Sequence, residues 1–205
     1  MTEELLDAYD DDGNHIGVFS RAEVHERGLW HRVFHVLVVA DREGVDTAIL
    51  QRRSLAKAAF PGLLDLSAAG HIMAGETPEE GLREMHEELG IDTSFDQLLP
   101  LGQFEICDED DAAEGNNREV AHCFVVRDDR ALTNYRPDLE EVDGLAEVPL
   151  DKLIELFADP ANTAPCREVS QDGSDTTTDI TVSALVPDVN DYWPTVLNAA
   201  RTALK

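Results

Sequence analysis

Residues 68–91 read AAGHIMAGETPEEGLREMHEELGI, and this stretch decides the fold. Gly70 and Gly75 bracket a short loop, and Glu76 stands just before a helix start. Thr77 is an N-cap candidate, Pro78 sits at the first helical position, and Glu80 completes a T-x-x-E capping box. Gly90 supplies the C-terminal stop, so the spacing predicts a helix over 77–89. On the helical wheel Leu82, Met85 and Leu89 form a core-facing stripe, with Glu80, Glu84, Glu87 and Glu88 on the opposite side. Glutamates three or four residues apart on a helix stand roughly 5–6 Å from one another at Cβ and repel. Two readings of that face are open. It is a solvated acidic surface, or it gathers carboxylates around a hard divalent cation.

Outward from the helix, strands and helices alternate. Val33–Ala40 (VFHVLVVA) is a nearly continuous apolar, β-branched run, which reads as a buried strand. DREGVD turns the chain into a hairpin partner at Thr47–Arg53, and 54–63, with Pro61 and Gly62, reads as a loop. Leu64–Ala69 reads as a short strand. Upstream, residues 5–21 form a hairpin around Asp-Gly-Asn, followed by a short helix ending at Gly28. Downstream, Leu101–Cys107 and Val120–Val126 are strands separated by the acidic loop DEDDAAEGNNRE. Leu150–Ala158 is an amphipathic helix, 159–179 has the composition of an irregular segment, and 188–204 returns to helix. This pattern implies an α/β domain with a mixed sheet. The expected organisation is one domain over 1–158, with 159–205 packed on it.

Composition narrows the function. The 205 residues carry 43 Asp and Glu against 16 Lys and Arg, a net charge of −27. Such a chain is repelled by nucleic acid and by anionic membrane surfaces. No apolar run approaches the ~20 residues of a membrane span. The acidic N-terminal stretch does not read as a signal peptide. Cys107, Cys123 and Cys166 form no CxxC pair, which fits a reducing cytoplasm. The 13 Arg and 3 Lys leave little ammonium. This balance suits a salty cytoplasm, where ions screen the self-repulsion, or equally an ordinary acidic protein.

The string Gly70-x5-Glu76-x6-Arg83-Glu84-Met85-x-Glu87-Glu88-x-Gly90-Ile91 resembles the Nudix box, G-x5-E-x7-R-E-U-x-E-E-x-G-U, where U is a bulky aliphatic residue. One spacing differs: six residues, not seven, separate Glu76 from Arg83. The resemblance implies an α/β/α sandwich and a hydrolase that uses Mg²⁺ or Mn²⁺ to cleave a diphosphate linkage in a small molecule, such as a nucleoside diphosphate derivative. It implies that Glu84, Glu87 and Glu88 hold metal with the main-chain carbonyl of Ala69 or Gly70. Arg83 would orient a glutamate, and Glu76 or Glu119 would serve as general base. Exposed sheet edges make a homodimer compatible with this fold.

Two segments further resemble the isopentenyl diphosphate isomerases and their hydrolase relatives. These are VHERGLWHRVFHV and QRRSLAKAAFPGLLDLSAAGH. The resemblance implies a second metal site from His25, His31 and His71 with Glu119. The isomerases carry a catalytic cysteine where this chain has Ala69, which favours a hydrolase, with an isomerase or a non-catalytic diphosphate-binding module as alternatives. Arg52, Arg53 and Lys57 form the densest basic cluster and would hold substrate phosphates, or else balance acidic neighbours. His35 reads as a structural histidine, and Trp30 and Phe34 as core.

Overall fold

The computed structural model describes residues 4–111 and 115–205, with side chains at all of these except 108–111, 115 and 116. The chain opens with a hairpin, β1 (Leu5–Tyr9) and β2 (His15–Ser20), and then α1 (Arg21–Arg27). A Ser20–Glu23 capping box starts α1 and Gly28, in the left-handed region at φ 59°, ends it. β3 (Trp30–Arg42) runs into β4 (Val45–Arg53) through Glu43 and Gly44, both at positive φ. Two left-handed residues give the tight turn whose twist matches the flanking strands. The short β5 (Leu64–Asp65) and β6 (Ala68–His71) lead to α2 (Arg83–Leu89). The rest of the fold is β7 (Leu99–Asp111), β8 (Gly115–Arg127), β9 (Val142–Pro149), α3 (Leu150–Ala158), β10 (Ala164–Ser170), β11 (Asp175–Ile180) and α4 (Tyr192–Ala203).

β3 is the axis of the mixed sheet. It lies parallel to β8 along Trp30–Val39, and its other edge pairs antiparallel with β1, β6 and β4 in turn. Because side chains alternate across a strand, β3 feeds two cores. Val33, Leu37 and Val39 pack with Leu153 of α3 and with Val196 and Leu197 of α4. Phe34, Val36 and Val38 pack with Met85 and Leu89 of α2. The product is the expected α/β/α sandwich, with α2 on one face and α3 and α4 on the other.

The expected helix over 77–89 is shorter. Residues Glu80–Leu82 form a 3-10 turn and the α-helix starts at Arg83. Only half of the capping box forms: the Glu80 carboxylate accepts from the Thr77 N–H and hydroxyl, while the Glu80 N–H goes to the Thr77 carbonyl. This turn lies within the stretch where the box is one residue short. Three residues of 3-10 helix rise about 6 Å, as do four of α-helix, so Arg83 keeps its reach back to Glu76.

Two other segments differ from expectation. The segment read as irregular contains the β10–β11 hairpin, which extends the sheet through β9. Its turn is Asp-Gly, with Gly173 at φ 80°, and the Thr run of β11 supplies β-branched residues. The loop expected between Cys107 and Val120 is mostly strand, with β7 and β8 continuing to Asp111 and from Gly115. The remainder of that loop, 112–114, lies outside the described residues. No helix among the described residues is long and apolar enough to cross a membrane.

Candidate active site

The glutamates of α2 and of the 3-10 turn before it divide differently from the helical-wheel expectation. Glu80 and Glu87 are exposed, but Glu84 and Glu88, one turn apart, are buried and point to a cavity beside β6. Each precedes a core residue, Met85 or Leu89, and so flanks the apolar stripe instead of opposing it. Glu88 Oε2 accepts both the Ala69 N–H at 2.8 Å and the Gln51 amide at 3.0 Å. Burial pushes the Glu88 carboxyl up to about 7, against the pull of the Ala69 N–H. Burial likewise raises Glu84, partly offset by Arg83. Gly70 is required here: a Cβ at this position would stand 2.1 Å from Glu84 Cδ.

Arg83 ties the box together. Its guanidinium contacts both oxygens of Glu76 at 3.4 Å, Glu87 at 3.1 Å and the His71 carbonyl at 2.7 Å, and it pairs with Glu84. Glu76 also accepts the Met73 N–H at 2.9 Å and so closes the loop that precedes the helix. Both Glu76 oxygens are thus engaged by Arg83, and Oε2 by the Met73 N–H as well.

The basic cluster splits by strand alternation. Arg53 and Lys57 line the cavity; Arg52 does not, since its guanidinium turns to Glu168 and the Gly62 carbonyl. Arg53 is held by Asp65 and the Ala59 carbonyl, and Lys57 pairs with Glu141. Burial lowers the Lys57 ammonium from its ordinary value. Arg21, at the start of α1, joins the lining from a distant part of the chain.

His25 of α1, His31 of β3 and His71 of β6 come together, with one potential ligand atom from each lying within 4.8 Å of the others. His31 Nδ1 lies 3.2 Å from the Leu29 carbonyl, and its Nε2 is buried without a hydrogen-bond partner among the described residues, 4.0 Å from Glu119 Oε1. Glu119 sits on β8 directly opposite His31 in the parallel register. Burial lowers His31 to about 4. Burial acts to raise Glu119, but the neighbouring His31 and His35 and the Asn117 amide hold it below the ordinary carboxylate value. His71 and Glu119 line the same cavity as the box glutamates.

The cavity holds about 520 Å³. Among the described residues, eight carboxylates line it against four guanidinium or ammonium groups. That imbalance, together with the two desolvated glutamates and the orphaned His31 Nε2, fits bound divalent cations. The oxygen-rich set of Glu84, Glu87 and Glu88 with the Ala69 or Gly70 carbonyl suits Mg²⁺ or Mn²⁺; the imidazole set suits softer divalent ions such as Zn²⁺. Phe60, Ile106, Val186, Val189, Tyr192 and Trp193 add a mostly apolar part to the lining. His35 is partly buried, lines the cavity and is linked to Tyr192 by a 2.5 Å hydrogen bond. Phe34 is core, while Trp30 is partly exposed and donates to Asp11.

Sequence reasoning did not reach Arg21, Glu4, Asp65 or Tyr192. Only the scarcity of bases marked Arg21, and nothing local marked the others.

The NUDIX domain family model matches residues 29–168. An uncharacterised Nudix hydrolase of Clostridium acetobutylicum is 40% identical over 154 residues, covering 75% of this chain and 73% of that protein. An isopentenyl-diphosphate Δ-isomerase of Streptomyces griseus is 34% identical over 156 residues, covering 75% of each. Among solved structures, one from Deinococcus radiodurans superposes with a TM-score of 0.56 at 23% identity, covering 76% of this chain and 89% of that one. The NUDIX domain of Shewanella oneidensis NrtR, in complex with ADP-ribose, gives 0.54 at 15% identity, covering 85% and 88%.

Proposed function

The chain belongs to the Nudix hydrolases, and on that premise we propose that it cleaves a phosphoanhydride linkage in a small organic diphosphate with Mg²⁺ or Mn²⁺. The observation that carries this reading is the burial of Glu84 and Glu88 in the same cavity that Arg53, Lys57 and Arg21 line. Glu84, Glu87 and Glu88, with the Ala69 or Gly70 carbonyl, would hold the cation. A bound divalent ion supplies charge neutralisation for the diphosphate and lowers the barrier to water attack.

The chain's own groups do the rest. Arg53, Lys57 and Arg21 draw the phosphate oxygens in, and Arg83 fixes Glu84 and Glu87 in place. Glu119, kept ionised and lying on the cavity wall, accepts the proton of the water whose oxygen attacks phosphorus as the P–O anhydride bond breaks. Ala69 cannot transfer a proton to carbon, which supports hydrolysis over isomerisation despite the isomerase relatives. The free thiols Cys107, Cys123 and Cys166 support a reducing cytoplasm as the setting.

The test is ³¹P NMR of the protein with Mg²⁺ and a panel of nucleoside di- and triphosphates, sugar nucleotides, dinucleotide cofactors and isopentenyl diphosphate. New phosphorus products that vanish in Glu88→Gln establish hydrolysis and name the substrate class. Isopentenyl diphosphate rearranged without phosphate release would overturn it in favour of an isomerase.

A further inference from the structure

We infer that Glu4 is the positioning residue of the histidine centre and couples it to the phosphate-binding side of the cavity. The inference rests on the metal-dependent reading of this site. Glu4 precedes β1 and is distant in sequence from every histidine of the group.

Its two carboxylate oxygens go to different partners. Oε1 lies 2.9 Å from His71 Nδ1, and Oε2 lies 3.5 Å from the Arg21 guanidinium. The Glu4 carbonyl also accepts the Arg21 N–H at 2.9 Å, which fixes the start of α1 against the N-terminal strand. With Nδ1–H of His71 donating to Glu4, the proton-free nitrogen of that ring is Nε2. The Leu29 carbonyl does the same for His31, whose Nε2 is the buried orphan.

Thus two rings of the group receive the same tautomer from two different acceptors. Their centroids are 5.2 Å apart, and His25 lies 5.1 Å and 5.9 Å from them. A carboxylate behind a ligating imidazole holds its orientation and raises its basicity, and loss of such a partner costs about 10–100-fold in metal affinity. Glu4 therefore acts through His71. Through Arg21 it sets a cation of the phosphate end at the same time, so metal occupancy and anion binding share one residue.

The experiment is a Co²⁺ titration of the metal-free protein, followed by visible absorption, with His31→Asn marking the bands of the histidine site. Glu4→Ala is expected to weaken the His31-dependent bands about 10–100-fold in Kd. Glu4→Gln, whose amide oxygen still accepts Nδ1–H, should fall between Glu4→Ala and the parent. A purely structural role would lower the melting temperature without this graded order. Equal Co²⁺ affinity in Glu4→Ala and the parent overturns the inference while leaving the metal site standing. A parent without His31-dependent bands removes the histidine centre and the inference together, whereas Mg²⁺-dependent hydrolysis is read separately by phosphorus NMR. Should Glu4→Ala fail to fold, long-range ¹H–¹⁵N NMR of the parent decides. A proton on His71 Nδ1 supports the inference, and a proton on Nε2 overturns it.

Discussion

Replacing Glu88 by Gln should stabilise the metal-free protein while it abolishes activity. Glu88 is 5% exposed, and its carboxyl is pushed up to about 7 from an ordinary 4.5, chiefly by burial. The folded state therefore holds a proton that the unfolded state has released between those two values. Stability falls as pH rises through that window, and the cost is complete above about pH 7. At about 1.4 kcal/mol per tenfold, the gap amounts to about 3 kcal/mol. Both hydrogen bonds to the side chain go to one oxygen, Oε2, so the amide oxygen of the variant can accept both. For a chain of this size about 3 kcal/mol corresponds to about 6–12 °C in melting temperature. Calorimetry in EDTA should show Glu88→Gln melting that much above the parent at pH 8 and level with it at pH 4. Added Mg²⁺ should raise the parent and leave the variant unchanged, because a bound cation stabilises the carboxylate and not the amide. A variant that melts at or below the parent at pH 8 without metal would refute the reasoning.

Three other outcomes follow from the geometry. Gly70→Ala places a Cβ within 2.5 Å of all three carboxyl atoms of Glu84, so the carboxylate must move; turnover should drop about 100-fold with an intact far-UV spectrum, and near-parent kinetics would count against Glu84 as a ligand. Arg53→Ala should raise KM for the diphosphate, whereas Arg52→Ala, which strands Glu168 outside the cavity, should lower stability by about 1–3 kcal/mol in denaturant unfolding with little change in KM. Burial raises the Cys123 thiol to about 12 and the Cys166 thiol to about 11, so both are protonated at pH 8 and should resist iodoacetamide in the folded protein; rapid alkylation of either by mass spectrometry would contradict their placement.

The local signals in the sequence carried far. The apolar run Val33–Ala40 predicts the central strand, Glu43-Gly44 allows its tight turn, and the long box pattern from Gly70 to Ile91 points to the family. The mixed sheet and flanking helices follow from such alternation of elements. The Asp-Gly turn of the β10–β11 hairpin was also present in the sequence, but Thr-, Ser- and Asp-rich composition masked it, since the same residues suit an irregular segment and an exposed edge strand.

The sequence by itself determined which chemistry the chain carries: clustered glutamates, glycines at the close approaches, and a few bases in a chain of net charge −27. Only the tertiary structure decided which of those groups face one another. The period of a helix places Glu84 and Glu88 beside Met85 and Leu89, but whether that flank meets water or a cavity depends on where β6 lies. Alternation along β4 sends adjacent Arg52 and Arg53 to opposite faces, and the identity of the inward face was set by the rest of the sheet. Glu119 meets His31 through a parallel register between strands 88 residues apart, and Tyr192 and Glu4 arrive from opposite ends of the chain. Burial, and with it the raised carboxyl of Glu88, arises from packing between distant segments, which no local pattern encodes.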